Sequence, residues 1–156
     1  MTKVFIDGSA GTTGLRIWQR LAGREDLTLV TLPEELRKDL NARKDALNGA
    51  DVAFLCLPDA AAIEAVSLIE SDHVAVIDTS TAHRVSPDWD YGFPELSSEH
   101  RAAIIHSKRV ANPGCHASGF IAGVYPLVRH GVISADFPLT AYSLTGYSGG
   151  GKKMIA

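Results

Sequence analysis

The sequence is poor in cysteine, lacks a long apolar segment and has no excess of basic residues. Its 156 residues include two cysteines, Cys56 and Cys115, without C-x-x-C spacing, which argues against a disulfide framework and a structural zinc site. No apolar stretch reaches the roughly 18 residues of a membrane-spanning helix, and the opening residues, MTKVFIDGSAG, do not resemble a signal peptide. We therefore expect a metal-free protein of the reducing cytoplasm.

The charge balance excludes some classes of partner. The chain has 15 Lys and Arg against 18 Asp and Glu, a net charge of −3, and its basic residues form no run. Neither a nucleic acid nor a membrane surface is therefore expected as a partner. A hydrophobic content of 46% is ordinary for a globular protein, and the length is sufficient for one domain with a sizeable core.

Apolar runs and glycines alternate along the chain in a strand–turn–helix order. Strands are predicted over 3–7, 27–32, 51–58 and 73–80, and the last two are continuous apolar runs typical of strands buried on both faces. Helices are predicted over 15–23, 34–49, 60–70, 97–106 and 116–131. In the first helix, Leu15, Trp18 and Leu21 share one apolar face. The alternation predicts an α/β fold with a Rossmann-type, doubly wound parallel sheet.

The pattern changes after the cysteine at 115. LTAYSLTG (139–146) alternates apolar and polar residues and predicts a strand of a second sheet, and the glycine-rich YSGGGKKMIA follows it. We therefore expect a dinucleotide-binding domain over 1–113 and the beginning of an α+β catalytic domain over 114–156, whose remainder lies outside the chain.

A glycine loop, GSAGTTG (8–14), joins the first predicted strand to the first predicted helix. This is the context of a dinucleotide-binding turn, although the spacing is G-x-x-G-x-x-G rather than G-x-G-x-x-G. Gly8 and Gly11 would allow the backbone to approach a pyrophosphate, and the N–H groups of the helix start would favour an anion. Thr12 and Thr13 would add hydroxyl donors. A plain strand-to-helix turn is the alternative.

The segment after the second predicted strand bears on the choice of cofactor. An NAD-binding fold usually carries an acid at the end of that strand. Here the strand ends in Thr31-Leu32 without one, whereas Arg37 and Lys38 follow closely and could meet a 2′-phosphate. This favours NADP, with a solvated helix face as the alternative for the two basic residues.

The cysteine in ANPGCHASG (111–119) follows a Pro-Gly and begins a predicted helix. Free N–H groups at a helix start favour a thiolate, and Gly114 leaves the sulfur of Cys115 uncovered. A small buried residue is the alternative, and the local sequence does not decide between them. Beside a dinucleotide, a nucleophilic thiolate would form a thioester or thiohemiacetal at a carbon that exchanges hydride with nicotinamide.

Six motifs in this order resemble the shorter form of the N-acetyl-γ-glutamyl-phosphate reductases of arginine biosynthesis. They span the whole chain, which corresponds to about the first half of a member of that family. The motifs are IDGSAGTTG (6–14), FLCLPD (54–59), VIDTSTAHR (76–84), YGFPEL (91–96), VANPGCHASG (110–119) and TGYSGGGKK (145–153).

The resemblance implies roles for individual residues. Cys115 would be the nucleophile that carries the acyl thioester, Arg84 would meet an anionic group of the substrate, and Asn112 would orient the substrate site. No metal is implied. The residues expected to bind NADP are Gly8, Ser9, Ala10, Gly11, Thr12, Thr13, Ser80, Thr81, Gly149 and Gly150.

The implied activity is the NADP-dependent reduction of N-acetyl-γ-glutamyl phosphate to the semialdehyde and phosphate, in a full-length protein that forms homo-oligomers. None of the six histidines of the chain matches the general acid/base of the family, so the chain alone is expected to be a weak or inactive catalyst. Two alternatives stay open. One is an enzyme similar to aspartate-semialdehyde dehydrogenase, and the other is an NADP-binding module without catalysis.

Overall fold

The computed structural model describes residues 1–146 and divides the chain into two units, Met1–Pro113 and Gly114–Ala156. The strands of the first unit are β1 (Thr2–Asp7), β2 (Leu27–Val30), β3 (Val52–Leu55), β4 (Ala75–Asp78), β5 (Asp90–Tyr91) and β6 (Arg109–Ala111). Its helices are α1 (Thr12–Leu21), α2 (Leu40–Asn48), α3 (Asp59–Ser67) and α4 (Ser98–His106), with a 3-10 helix at Glu34–Leu36.

The six strands form one sheet in the order β2-β1-β3-β4-β6-β5, and every neighbouring pair is parallel. This confirms the predicted α/β Rossmann-type fold. The chain moves outward from β1 to β2 and then crosses back over β1 to β3. Because such crossovers are right-handed, α1 covers one face of the sheet and α2 and α3 cover the other.

The core lies between the sheet and the pair α2 and α3. Its fully buried residues on or next to the strands are Phe5, Ala53, Leu55, Val74 and Val76, and those in or next to the two helices are Leu47, Ala50, Ala62 and Ala65. The prediction that β3 and β4 are buried on both faces is wrong, since Val52, Phe54, Ala75 and Ile77 are only half-buried. The helices α2 and α3 seal one face of these strands, and the opposite face is covered less completely.

Helix α1 is anchored through a glycine rather than through the predicted apolar face. Gly14 is its buried residue, and a Cβ there would lie 2.4 Å from the carbonyl oxygen of Gly8. Leu15 and Trp18 remain 49% and 42% exposed. The small residue lets the helix approach the preceding loop closely, and that contact, rather than apolar periodicity, determines which face turns inward.

The second unit contains helix α5 (Cys115–Arg129), which continues through Pro126 and is followed by Gly131 at a φ of +68°. The strand predicted over 139–146 is wrong, because these residues form no strand. A strand needs a neighbour to bond its N–H and C=O groups, and no segment within 1–146 pairs with this one. The predicted cofactor residues Gly149 and Gly150 lie outside the described residues. None of the helices in the described part of the chain could cross a membrane.

Candidate functional site

The carboxyl ends of the central strands form one row. Asp7 of β1 is in register with Leu55 of β3, Leu55 with Asp78 of β4, and Asp78 with Ala111 of β6. The loops that follow these four strands therefore leave the sheet at the same edge. Between β1 and β3 the direction of the crossovers reverses, and in open α/β sheets such a reversal opens the crevice in which ligands bind.

The glycine loop occupies this crevice edge. Gly8 has a φ of +85°, and a Cβ on it would lie 2.3 Å from the carbonyl oxygen of Cys56, just after β3. The N–H of Gly11 donates to the carbonyl of Gly8 at 2.9 Å and closes the turn. Only glycine combines this backbone conformation with such a close contact. Gly8 therefore allows the loop after β1 to pack directly against the loop after β3.

The loop and the start of α1 fit the pyrophosphate of a dinucleotide. Helix α1 begins after Gly11, which supplies no side-chain cap, and its first turn contains no acid. Thr12 and Thr13 are exposed, as is Ala10, while Ser9 is half-buried. The first N–H groups of the helix thus lack a side-chain acceptor, and the positive end of the helix dipole faces an open site where an anion is favoured.

The sequence analysis did not predict two features of this region. Gly14, the third glycine of the motif, allows the close packing of α1 described above, and the spacing of the fingerprint could have indicated it. The second is a buried ion pair under the loop. Arg43 donates from Nε and Nη2 to Oδ2 of Asp7 at 3.1 and 3.0 Å, and from Nη1 to Glu64 at 2.6 Å. Burial raises the pKa of Asp7, and the Arg43 guanidinium opposes that rise.

A cavity of about 440 Å³ adjoins this ion pair, and Arg37 and Lys38 contribute to its lining. Both side chains are exposed, and Nε of Arg37 donates to the carbonyl of Leu32 at 3.3 Å, two residues beyond β2. The two basic groups therefore stand near the end of the second strand, the position from which a Rossmann fold contacts the adenosine ribose.

Ser80 and Thr81 follow β4 and differ in what their hydroxyls do. Ser80 is buried, and its Oγ donates to Oδ2 of Asp78 at 2.6 Å. Thr81 is exposed, and its N–H and Oγ1 donate to the carboxylate of Asp59, the first residue of α3, at 2.9 and 2.5 Å. These hydrogen bonds lower the pKa of Asp59. Both residues reinforce the loop at the crevice edge.

The structure brings the predicted substrate residues Arg84 and Asn112 together. Arg84 donates from Nε to the carbonyl of Asn112 and from Nη2 to the carbonyl of Thr79, both at 3.1 Å. Asn112 is exposed, and its N–H donates to the carbonyl of Asp78 at 2.8 Å. Arg84 therefore joins the loop after β4 to the turn after β6.

The two cysteines lie in different environments. In the second unit, Cys115 is exposed and is the first residue of α5, and Gly114 provides no side-chain cap. It borders a cavity of about 910 Å³ together with residues 140–146. Cys56 in the first unit is half-buried, one residue beyond β3, and burial raises the pKa of its thiol to about 11. Cys115 is thus not a packed core residue, whereas Cys56 is sheltered.

Residues 3–104 match the family described as semialdehyde dehydrogenase, NAD binding domain. The chain belongs to this family. Within it, the chain is 57% identical over 98% of its length to the N-acetyl-gamma-glutamyl-phosphate reductase of Chelativorans sp.. It is 54% identical over 97% to N-acetyl-gamma-glutamyl-phosphate reductase 2 of Pseudomonas putida. The resemblance inferred from the motifs is confirmed. The chain spans about half the length of these curated relatives, 49% of each.

Several solved structures share the fold of this chain. An aspartate semialdehyde dehydrogenase from Francisella tularensis superimposes with a TM-score of 0.70 over 99% of this chain and 47% of its own, at 19% identity. The enzyme from Candida albicans, solved with NADP, gives a TM-score of 0.59 over 83% of this chain and 47% of its own, also at 19% identity. At this identity the similarity establishes the Rossmann-type architecture of the chain.

Proposed function

We propose that the chain is the cofactor-binding half of an NADP-dependent reductase that converts N-acetyl-γ-glutamyl phosphate to the semialdehyde and phosphate in arginine biosynthesis. The observation that carries the proposal is an exposed thiol at the uncapped start of a 15-residue helix, in a chain whose first unit is a NAD-binding domain. The relatives at 51–57% identity bear the name of this reductase, whereas the aspartate semialdehyde dehydrogenases are only 18–19% identical. The reductase is therefore preferred over the dehydrogenase alternative.

Cys115 carries the covalent step of this reaction. Its thiolate attacks the carbonyl carbon of the acyl phosphate, the bond from that carbon to the phosphate oxygen breaks, and phosphate leaves with the electron pair. Residues 8–13 would hold NADPH, which when bound would supply the hydride for reduction of the resulting thioester carbon. Release of the semialdehyde breaks the carbon–sulfur bond and returns its electron pair to the sulfur. Arg84 binds the anionic group of the substrate, and Asn112 orients the substrate site.

The first unit binds the nicotinamide cofactor through residues 8–13, with Ser80 and Thr81 beside it. Support comes from the family assignment and from the fit of the glycine loop to a pyrophosphate. NADP is preferred over NAD because two basic side chains, Arg37 and Lys38, stand near the end of β2. The boundary between the cofactor domain and the start of the catalytic domain falls at 113–114 in this proposal, and the full-length enzyme is a cytoplasmic homo-oligomer.

An assay of the natural gene product that contains these residues tests the proposal. With N-acetylglutamate semialdehyde, phosphate and NADP⁺, the wild type is expected to form NADPH. Cys115→Ser should lose at least about a thousandfold in rate while its affinity for NADP⁺, measured by calorimetry, is unchanged. Cys56→Ser is the matched control and should retain turnover. A Cys115→Ser enzyme with near-normal turnover would overturn the nucleophile assignment.

A further inference from the structure

One buried carboxylate organises the loop that follows β4. Asp78 is completely buried, and within residues 1–146 its carboxylate has three hydrogen-bond donors, all from the next five residues. The N–H of Ser80 donates to Oδ1 at 2.9 Å, the hydroxyl of Ser80 donates to Oδ2 at 2.6 Å, and Nδ1 of His83 lies 2.6 Å from Oδ2. A buried carboxylate with this many donors fixes the surrounding backbone in one arrangement.

The ring of His83 is held from two directions. Its Nδ1 faces the Asp78 carboxylate, which makes that nitrogen the protonated one. One face of the ring stacks on Trp89, with centroids 4.1 Å apart and planes inclined by 14°. The side chain is 12% exposed. The hydrogen bond and the stacking contact therefore fix the position of the His83 side chain within the loop.

Arg84 directly follows His83 in the sequence. Its guanidinium uses Nε and Nη2 to hold the carbonyls of Asn112 and Thr79. These two hydrogen bonds connect two loops. Because Arg84 directly follows His83, the position of its side chain depends on the backbone conformation at His83. Three of the five guanidinium N–H groups, two on Nη1 and one on Nη2, are not used in these two hydrogen bonds and can donate to an anionic group.

We infer that Asp78 and His83 form a positioning pair that sets the side chain of Arg84 for binding an anionic substrate group. The inference rests on the proposed function, since the role of Arg84 in substrate binding belongs to it. His83 acts through Nδ1 and the loop conformation and does not itself touch the reacting atoms. Its loss therefore weakens substrate binding and leaves cofactor binding unchanged.

Two variants of His83 test whether it positions Arg84 through the hydrogen bond from Nδ1. His83→Asn keeps an amide N–H close to the position of Nδ1, whereas His83→Leu removes every donor. In the natural gene product, His83→Leu should raise the KM for phosphate about tenfold with an unchanged Kd for NADP⁺, and His83→Asn should stay within about threefold of the wild type. His106→Leu, an exposed histidine at the end of α4, is the control. His83→Ala replaces the leucine variant if that variant does not fold.

A second readout needs no turnover. In the 156-residue chain, the Nε–H of Arg84 should give a slowly exchanging ¹⁵N NMR signal in the wild type and in His83→Asn, and lose it in His83→Leu. An inactive wild type with these signals would refute the proposed reaction alone. Equal signals in both variants would overturn the positioning pair. So would a His83→Asn enzyme that keeps the Arg84 signal but loses activity, because that result would assign the function to Nε2.

Discussion

Arg43 and Asp7 form a two-point ion pair inside the protein, with the Nε and Nη2 atoms of Arg43 at 3.1 and 3.0 Å from one carboxylate oxygen of Asp7. Their side chains are 7% and 6% exposed. Arg43→Met should lower the free energy of unfolding by about 3 kcal/mol, because it leaves a buried charge without its partner. Urea unfolding measures the change. Arg24→Met, which breaks an exposed pair with Asp26, should change it little.

The loss in Arg43→Met should depend on pH. Burial already raises the pKa of Asp7, and without the guanidinium that pKa rises further. A raised carboxyl pKa favours the folded state only at low pH, and this contribution is lost as pH rises through the folded-state value. The deficit should therefore be largest near pH 7 and shrink as the medium is acidified toward the ordinary aspartate value of about 4. A deficit independent of pH would contradict an uncompensated Asp7 as its cause.

Gly8 should tolerate no side chain. Gly8→Ala places a Cβ 2.3 Å from the Cys56 carbonyl and forces a non-glycine residue to a φ of +85°, so we expect a loss of at least about 2 kcal/mol in stability. Gly23→Ala adds its Cβ where nothing lies within 4 Å and serves as the control. Thermal unfolding of both variants measures the difference. Equal melting temperatures would show that the two loops are not in this contact.

A substitution at Gly11 tests the proposed phosphate-binding loop, residues 8–13, without disrupting the fold. A Cβ there would lie 3.3 Å from the Gly8 carbonyl oxygen, so the turn has to shift by only a few tenths of an ångström, far less than at Gly8 itself. Gly11→Val should therefore fold but reduce the affinity for NADP⁺ at least about tenfold, since its side chain fills the space of the pyrophosphate. Calorimetry on the 156-residue chain measures it. Unchanged binding would count against residues 8–13 as the phosphate site.

The two thiols should react at different rates. At pH 8 roughly a thousandth of Cys56 is thiolate, given its pKa of about 11, and its side chain is half-buried. Iodoacetamide should therefore alkylate the exposed Cys115 first, as mass spectrometry of timed samples would show. The labelling rate of Cys56 should rise about tenfold for each pH unit below 11. Faster labelling of Cys56 at pH 8 would contradict both assignments.

The basic residues after β2 should discriminate between the two nicotinamide cofactors. The double variant Arg37→Ala, Lys38→Ala should bind NADP⁺ about 10- to 100-fold more weakly and NAD⁺ as before, because only NADP⁺ carries the 2′-phosphate. Arg20→Ala, in the last turn of α1, is the control for a general loss of positive charge. Equal weakening of both cofactors would point to a nonspecific charge effect.

Much of the fold was predictable because local pattern and tertiary structure agree. The apolar runs became β1 to β4, and the helix predicted over 34–49 is divided into the 3-10 helix at Glu34–Leu36 and α2 (Leu40–Asn48). Strand β5 escaped prediction because two residues, Asp90–Tyr91, are too short to carry a pattern. The predicted strand over 139–146 had the pattern but found no neighbour within the described residues.

The candidate site was only partly predictable. The glycine loop and the cysteine carry local signals, and the structure leaves the start of α1 and the Cys115 thiol open to a ligand. The pair of Asp7 and Arg43 joins residues 36 apart in sequence, which no local pattern encodes. A clue was nevertheless present, because KVFID and VAVID are both apolar strands that end in aspartate. A buried strand that ends in an acid requires a partner for it.

The row of strand ends has an electrostatic consequence. Two acids, Asp7 and Asp78, sit at the edge where a polyanionic nucleotide would enter, and each is satisfied from within, one by a guanidinium and the other by three donors of its own loop. Without that internal compensation, the edge would repel the nucleotide on its approach. The same side chains that hold the loops in shape thus also reduce the repulsion that an incoming anion would meet at this edge.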